Sequence, residues 1–322
     1  MIPPEELISF LRNEDNFIIA THVNPDGDGI GSASALSMAL RALGKKTVLL
    51  SKDPVPKTCR FLPGSDGFFT YDNIHTSGGG AFSNLIIIDC NHPGRISTEK
   101  IQLSSFNFRH TVVIDHHETE SDFGDIRWVV RESPASAMMV LVLIKCMGVK
   151  ITADMASNLY AGLIVDTGNF RHENTNAAAL RAAAELVECG AVPVRLYREL
   201  FDSWSDGRFK LFVKTMGTLY IEAGVSIVTV TGKMFEETGT SADDTENFVE
   251  FPIIAVGIKV SILLRETGDG GCKVSLRSKG EINVARVAAE FGGGGHKNAA
   301  GCTINTDLKT AGKKLLNTIN SL

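Results

Sequence analysis

Residue types that bind metals follow short apolar segments in this sequence. Three groups share that position: His22, Asp26 and Asp28 after the first segment, Asp89 at the end of Leu-Ile-Ile-Ile-Asp, and Asp115, His116 and His117 at the end of Val-Val-Ile-Asp-His-His. A fourth group is the single carboxylate of Asp166, which closes Leu-Ile-Val-Asp ahead of a Thr-Gly pair. Mixed histidine and aspartate ligation suits manganese or another transition ion better than calcium. The residue types therefore predict a metal site.

Formal charge predicts how many cations such a site would hold. Four carboxylates balance two divalent ions: Asp26, Asp28, Asp89 and Asp166. Two ions close together would lower the pKa of a water between them and would hold the attacking and departing oxygens of a phosphoryl group. A single aspartate in a turn is more often a helix cap than a ligand, so the interpretation depends on several of them occurring together with histidines.

His116 and His117 are adjacent, so their side chains diverge. We expect one of them to bind metal and the other to face a substrate, with Asp115 orienting an imidazole by a hydrogen bond. The glycine-rich run 27–34 has an alternative interpretation as a dinucleotide-binding fingerprint. Ser34 stands at the last glycine position of that fingerprint, which argues against a Rossmann cofactor site.

Short segments rich in Ile and Val predict the strands that position these residues: 17–22, 47–51, 85–89 and 111–115. Helices are predicted between and after them, at 32–43, 135–147 and 155–165. This alternation is typical of a buried parallel sheet. Because the carboxyl ends of parallel strands lie at one edge, we expect the four groups to converge in one crevice.

The predicted fold class is α/β, in three parts. Residues 1–190 form an N-terminal parallel-sheet domain with helices on both faces, and residues 191–222 form a helical linker. Residues 223–322 form a smaller α+β domain, with strands at 225–230, 258–264 and 272–276 and helices at 283–291 and 308–319. The second and third of these strands form a hairpin through the glycine-rich turn 268–271.

Composition excludes several classes of protein. The chain has 322 residues, of which 43% are hydrophobic, and a net charge of −5, so no bulk positive field exists to hold long nucleic acid. Six scattered cysteines without a C-x-x-C pair predict reduced thiols in a cytoplasmic protein. The longest apolar run, 135–144, is too short to cross a bilayer, so no membrane partner is expected.

The four groups resemble the motifs of the DHH phosphoesterase superfamily. The motifs occur in order: His22-Val-Asn-Pro-Asp-Gly-Asp-Gly-Ile-Gly-Ser, Ile-Ile-Asp89, Ile-Asp115-His116-His117 and Val-Asp166-Thr-Gly-Asn-Phe. The resemblance implies that one cation is held by His22, Asp26 and Asp89. It implies that the other is held by Asp28, Asp89, His116 and Asp166. Asp89 would bridge the two cations and act in catalysis with Asp115 and His117, and His117 would lie near the scissile phosphate.

The segment Phe291-Gly-Gly-Gly-Gly-His-Lys resembles the DHH-associated domain of the same enzymes. Glycines let backbone amides approach an anion or a base closely, and a guanidinium or ammonium group adds donors for a phosphate. The residues implied in substrate binding are Arg277, Ser278, Gly293, Gly294, Gly295, His296 and Lys297. A flexible loop is the alternative for residues 292–295.

Such a tail is similar to that of oligoribonucleases that trim very short RNA (nanoRNA) and dephosphorylate 3'-phosphoadenosine 5'-phosphate (pAp), and of relatives that cleave cyclic or linear dinucleotides. We therefore expect a manganese-dependent phosphodiesterase and phosphomonoesterase with two divalent cations. The alternatives are an inorganic pyrophosphatase or exopolyphosphatase on the same catalytic domain, and a non-catalytic nucleotide sensor. Met138 stands where relatives often carry an acidic residue, a departure that bears on substrate more than on metal. Because enzymes of this type are often homodimers, the resemblance is also compatible with a homodimer.

Overall fold

The computed structural model describes residues 1–70, 74, 82–96, 108–117, 121–268 and 270–320, without the side chain of His296. The chain divides into two compact units, Met1–Ser203 and Trp204–Leu322. The boundaries expected from the sequence, at 190 and 222, stay a prediction.

A parallel sheet forms the centre of the first unit. Its strands are β1 (Phe17–Ala20), β2 (Thr47–Leu50), β3 (Phe68–Phe69), β4 (Asn84–Ile88), β5 (His110–Asp115) and β6 (Ile126–Val129). Every pairing between neighbours is parallel, in the order β3-β2-β1-β4-β5-β6. The central strands are continuous runs of buried Ile, Val and Leu, as a sheet covered on both faces requires. The predicted parallel sheet is confirmed.

The helices of the first unit are α1 (Glu5–Asn13), α2 (Gly27–Ala42), α3 (Ser136–Cys146), α4 (Ala153–Asp166), α5 (Ala177–Glu188) and α6 (Pro193–Phe201). The start predicted for the second of these, residue 32, is wrong by five positions. Asp26 caps this helix, because its Oδ1 accepts hydrogen bonds from the backbone nitrogens of Asp28 and Gly29 at 2.9 and 3.2 Å. The first two turns of α2 therefore contain the glycine-rich run.

Those glycines allow α2 and α4 to pack at very short distance. A Cβ atom on Gly27 would lie 2.7 Å from Cγ2 of Val165, and one on Gly31 would overlap the carbonyl oxygen of Asn158. From the other side, a Cβ on Gly162 of α4 would lie 2.5 Å from Oδ1 of Asp28. The spacing that resembled a dinucleotide fingerprint therefore serves contact between two helices.

Two hydrophobic clusters cover the two faces of the sheet. The larger contains alternate strand residues such as Ile19 and Ile86 together with the buried faces of α1 to α6. The smaller contains the other set, including Ile18 and Leu85, with Ile74 and Ile96 from the connecting segments. The alternation follows from the two-residue period of a strand, which sends successive side chains to opposite faces.

The second unit contains a mixed sheet. Its elements are α7 (Asp206–Met216), β7 (Tyr220–Glu222), β8 (Val225–Val230), α8 (Gly232–Thr238), β9 (Val260–Glu266), β10 (Cys272–Ser278), α9 (Val284–Ala289), β11 (Gly294–His296), β12 (Ala299–Ile304) and α10 (Leu308–Asn320). The strand order is β11-β12-β10-β9-β8-β7, with only β8 and β9 parallel. The predicted hairpin of β9 and β10 is confirmed.

The glycine run near the C-terminus is partly a strand. Gly294 and Gly295 pair with Gly301 and Ala300 of β12, so a wholly flexible loop is excluded for these two positions. Among the helices of the described ranges, none is both long enough and apolar enough to cross a membrane.

We predict that Gly31→Ala destabilises the protein by about 1–3 kcal/mol, because the added methyl group must push α2 away from α4. Chemical denaturation followed by circular dichroism measures the change. The matched control is Gly67→Ala, where the nearest atom to the new Cβ is 4.0 Å away. Equal stability of the two variants would contradict the close packing described here.

Candidate metal centre

The candidate site lies at the point where the strand order of the parallel sheet reverses. Strand β1 pairs with β2 on one side and with β4 on the other, so the connections leave in opposite directions and open a crevice at the carboxyl ends. His22 and Asp26 follow β1, and Asp89 follows β4. Asp115 is the last residue of β5, and Asp166 is the last residue of α4.

His22, Asp26 and Asp89 form the first of three groups whose ligand atoms lie within 4.8 Å of one another. His22 Nε2 lies 3.2 Å from Asp89 Oδ2, and His22 Nδ1 lies 2.8 Å from the carbonyl oxygen of Val23. Because a carbonyl only accepts, Nδ1 carries the proton in this contact, and Nε2 is the nitrogen that a metal would meet. Asp26 combines membership of this group with its role as helix cap.

The second group joins Asp28, His116 and Asp166. Nε2 of His116 lies 2.9 Å from Asp166 Oδ2 and 3.9 Å from Asp28 Oδ2. The same nitrogen lies 3.4 Å from Asp89 Oδ1, so Asp89 is adjacent to both groups. His116 Nδ1 lies 3.0 Å from the carbonyl oxygen of Ser133, which holds the ring as Val23 holds that of His22.

A third group contains Asp89, His116 and His117. His117 Nδ1 lies 2.7 Å from Oδ1 of Asp115, a fully buried carboxylate, and this contact fixes the orientation of the imidazole. Asp115 is expected from the sequence to orient one of the two histidines, and its contact is with His117.

The start of α3 holds two carboxylates of the site. Backbone nitrogens of Ser136 and Ala137 donate to Oδ2 and Oδ1 of Asp28 at 2.6 and 2.8 Å. The hydroxyl of Ser136 donates to Asp89 Oδ1 at 3.0 Å. The helix N-terminus also places its positive dipole end on Asp28. Met138 lies in the same first turn and packs against the larger hydrophobic cluster.

Ser136 is a residue of the site that the sequence motifs do not include. Ser136 follows Ser-Pro-Ala and precedes an apolar helical stretch, a pattern that is typical of a helix start. Nothing in the sequence indicated that this helix start faces Asp28, because the two residues are more than a hundred positions apart.

Asp89 has an unusual backbone conformation. Its φ is 61°, in the left-handed region, where a non-glycine residue has a cost of order 1–3 kcal/mol. Its backbone nitrogen donates to the carbonyl oxygen of Ile114 at 2.9 Å, which continues the ladder between β4 and β5. The strained residue is therefore the one shared by the first and third groups.

The effects of charge and burial on the pKa oppose each other at His22, His116 and Asp89, and they act together at Asp28. Burial alone would lower the pKa of His22, but its hydrogen bond to Asp89 and the charges of Asp89 and Asp26 raise it to about 9. Burial likewise opposes protonation of His116, but Asp166 and Asp89 raise its pKa to about 12. Burial and neighbouring carboxylates raise the pKa of Asp28 well above its ordinary value. Burial would raise the pKa of Asp89, but His116 and His22 hold it well below the ordinary range.

Divalent cations fit this donor set. Four aspartates of the site lie wholly or largely within the protein: Asp26, Asp28, Asp89 and Asp166. Their mutual repulsion disfavours the ionised forms unless positive charge lies between them. Imidazole and carboxylate together suit manganese and other transition ions, and His22 and His116 each have the other ring nitrogen held by a backbone carbonyl, as metal-binding histidines require.

The expected substrate residues of the second unit lie near the ends of three adjacent strands. The register pairs Arg277 of β10 with Ala299 of β12, and Ala299 with His296 of β11. Arg277 Nε lies 3.3 Å from Glu250 Oε1, and Lys297 Nζ lies 3.1 Å from Glu281 Oε2. The hydroxyl of Ser278 donates to the carbonyl oxygen of Ile282 at 2.6 Å. The side chain of His296 lies outside the described part of the structure.

Backbone packing accounts for two glycines of the run. A Cβ atom on Gly293 would lie 2.5 Å from Cβ of Cys302, and Gly295 has a φ of 146°. Around Gly294 the space is open, because a Cβ atom there would meet nothing within 4 Å among the described residues. Part of the run therefore forms the edge strand beside β12, and the backbone of Gly294 is accessible there.

Comparison with known proteins decides the family. A family model for the DHH family, N-terminal domain, matches residues 16–164, and a model for the DHHA1 domain matches residues 224–322. A bifunctional oligoribonuclease and PAP phosphatase NrnA of Thermus thermophilus is 36% identical over 307 residues, which are 95% of this chain and 90% of that protein. This chain belongs to the DHH family.

Other known proteins match this chain over similar lengths. The protein of the same name from Bacillus subtilis is 28% identical over 308 residues, 93% of this chain and 92% of that protein. A solved structure of an exopolyphosphatase-related protein from Bacteroides fragilis has a TM-score of 0.93 and 26% identity, covering 98% of this chain and 95% of that chain. The exonuclease RecJ bound to manganese, at 15% identity and a TM-score of 0.56 over 98% and 93% of the two chains, shares the fold.

We predict that Ser136→Ala lowers the affinity of the protein for Mn²⁺ by roughly 10- to 100-fold, because Asp89 loses a donor that holds its carboxylate in place. Titration calorimetry on the metal-free protein measures the change. Ser157→Ala is the control, since that hydroxyl donates to the carbonyl oxygen of Ala153 within α4, away from the ligand groups. Unchanged affinity in Ser136→Ala would mean that Asp89 does not need this hydrogen bond.

We also predict that metal binding releases protons at pH 7. His22 has a raised pKa of about 9 in the metal-free fold, so its protonated form stabilises that fold below pH 6.5, and this contribution is lost as the pH rises through 9. A metal needs the neutral imidazole and must displace the proton. Calorimetry in buffers of different ionisation enthalpy counts the protons released, and the count falls as the pH approaches 9.

The control for this measurement is His110→Ala, which changes an exposed histidine at the start of β5 and leaves the proton count unchanged. In His22→Ala we expect fewer protons released than in the parent protein. A count of zero at pH 7 in the parent would contradict the protonated state inferred for the metal-free site.

Proposed function

We propose that this DHH-family protein is a phosphoesterase that uses two divalent cations, manganese by preference, to hydrolyse short oligoribonucleotides and pAp or related dinucleotides. The observation that carries the proposal is the shared position of Asp89, which contacts both His22 and His116 and so joins the two ligand groups. A carboxylate shared in this way is typical of two-metal phosphoryl-transfer sites. The names of the relatives that match nearly the whole chain support the substrate class.

In this proposal the first and second ligand groups would each hold one cation, and Asp89 would contribute to both. His22, Asp26 and Asp89 would hold one cation, and Asp28, Asp89, His116 and Asp166 would hold the other. When bound, the cations supply a water of lowered pKa and neutralise phosphate charge. The chain itself fixes the ligands in advance, through the backbone carbonyls behind both histidines and through the amides of α3 behind Asp28.

His117 is the proposed contact to the scissile phosphate. Its pKa is raised because the hydrogen bond to Asp115 and the charge of Asp89 outweigh the effect of burial. A protonated imidazole held in one orientation is a donor for a phosphoryl oxygen that gains charge. Asp115 acts as the positioning residue for this donor through its hydrogen bond to His117 Nδ1.

The second unit is proposed to select nucleotides. Arg277 and Lys297 supply positive charge near the accessible glycine backbone, and each already lies beside a carboxylate, Glu250 and Glu281. These ion pairs are partly exposed, so they contribute little to the stability of the fold. A phosphate can therefore replace the carboxylate beside Arg277 or Lys297. Ser278, Gly293, Gly294, Gly295 and His296 complete the proposed substrate set.

Inorganic pyrophosphatase and exopolyphosphatase activities are not favoured. A pyrophosphate needs cations around it, whereas the run at 293–295 offers backbone amides and an open face. A non-catalytic sensor is also not favoured, because every expected ligand residue is present. Cytoplasmic location, homodimer formation and exclusion of long nucleic acid stay predictions of the sequence.

The deciding experiment compares turnover of a 5'-phosphorylated diribonucleotide, pAp and pyrophosphate at equal concentration in Mn²⁺. We expect hydrolysis of both nucleotides and little hydrolysis of pyrophosphate. Arg277→Ala should reduce hydrolysis of the dinucleotide by roughly 10-fold or more while a small generic phosphodiester is affected less, since the arginine recognises a second anionic group. Asp89→Asn is the inactive control for contaminating nucleases.

Three outcomes would change the proposal. Fast hydrolysis of pyrophosphate without hydrolysis of the nucleotides would replace it with the pyrophosphatase function. No turnover of any of the three compounds, with intact Mn²⁺ binding, would favour the sensor. If Arg277→Ala reduces turnover of the dinucleotide and of the small generic phosphodiester equally, Arg277 has no role in substrate selection.

A further inference from the structure

Arg95 is a cation beside the candidate metal centre that neither the motifs nor the ligand groups include. It ends the short 3-10 turn Pro93–Arg95, a few residues after Asp89. Its carbonyl oxygen accepts a hydrogen bond from the backbone nitrogen of Val23 at 2.7 Å. This bond ties the turn to the residue that follows His22, so the position of Arg95 next to the site is fixed by the main chain.

The guanidinium of Arg95 faces a nitrogen that cannot accept from it. Arg95 Nη2 lies 3.3 Å from His22 Nδ1, but Nδ1 already lies 2.8 Å from the carbonyl oxygen of Val23. When Nδ1 donates to Val23 it has no lone pair left for a second donor, and arginine is a donor only. The other tautomer would satisfy Arg95 but would place a proton on Nε2, the nitrogen that faces Asp89.

In the tautomer that suits metal binding, Arg95 therefore lacks an acceptor. No carboxylate within the described ranges forms an ion pair with it, and its side chain is only partly exposed. A partly buried guanidinium without a partner is costly, and its planar donors match the oxygens of a phosphate. The missing partner is thus best supplied by an anion that arrives with the substrate.

Charge balance favours the same partner. The four aspartates of the two ligand groups and two divalent cations sum to zero, so they offer no net attraction to a phosphate. A further positive group at the rim is needed to favour a dianion, and Arg95 is such a group on the His22 side of the site. His117 lies on the other side, at the end of β5.

We infer that Arg95 binds a non-bridging phosphate oxygen of the substrate beside His22 and stabilises the negative charge that develops there during hydrolysis. This inference rests on the proposed phosphoesterase function. It assigns to the segment after β4 a catalytic contact in addition to the ligand Asp89.

The test measures phosphate binding, metal binding and turnover separately. Inorganic phosphate is titrated into the Mn²⁺-loaded protein, Mn²⁺ into the metal-free protein, and kcat/KM is measured with pAp. For Arg95→Ala we expect phosphate binding to weaken by roughly 10-fold and kcat/KM to fall by roughly 10²- to 10³-fold, with Mn²⁺ affinity within about twofold of the parent. Arg95→Lys should recover part of the loss, because a lysine keeps the charge without the planar fork.

Arg181→Ala, an exposed arginine on α5, is the matched control and should match the parent in all three measurements. Phosphate binding and turnover of Arg95→Ala within about twofold of the parent would overturn the inference. A parallel loss of Mn²⁺ binding would also overturn it, since Arg95 would then only support His22. If Arg95→Ala does not fold, Arg95→Lys and Arg95→Gln give the same comparison.

Failure of the proposed function has a different signature. If the parent protein hydrolyses neither pAp nor a dinucleotide, the function is wrong. Phosphate binding to the parent and to Arg95→Ala still reports whether Arg95 holds an anion. The two results are therefore distinguishable in one set of samples.

Discussion

Repulsion between buried carboxylates is the constraint on which the rest of this structure depends. Asp28 and Asp89 are almost fully enclosed, and Asp26 and Asp166 lie in the adjoining ligand groups. Carboxylates this close do not all ionise unless donors or cations surround them. The fold supplies those donors from four places: the ends of β1 and β5 and the starts of α2 and α3.

The glycines of α2 and α4 follow from the same constraint. Asp28 lies in the first turn of α2, and Gly162 of α4 stands against its Oδ1, where any side chain would block the contact. Asp166 ends α4 and reaches His116 from there. Close approach of the two helices thus brings Asp28 and Asp166 to one imidazole, and the sequence must keep small residues along the contact to permit it.

Much of the first unit could be predicted from the sequence, because the patterns that indicate its strands are local. Runs of Ile and Val indicate buried strands, and the rule that parallel strands end at one edge brings residues as distant as His22 and Asp115 together. The start of α2 was placed too late, since glycines at 27, 29 and 31 normally oppose a helix. Tertiary packing against α4 outweighs that local preference.

The long-range contacts of the site could not be predicted from the sequence. The hydrogen bonds from α3 to Asp28 join residues 108 and 109 positions apart, and no periodicity encodes such a pairing. Arg95 was missed for a similar reason: its position depends on one backbone hydrogen bond between two loops. The strand character of Gly294 was missed because glycine has no β propensity, and its pairing depends on β12.

The charges that stabilise this site differ in whether they can be removed. Protons on His22 and His116 can leave, and cations can take their place. The amides of Ser136 and Ala137 cannot leave, so they hold the carboxylate of Asp28 whether or not the histidines are protonated. Fixed donors of this kind lower the reorganisation that an electrostatic site needs, which is the condition under which stabilisation of a phosphoryl transition state is most effective. The exchangeable protons are carried by the histidines, whose rings are fixed by backbone carbonyls on the side away from the site.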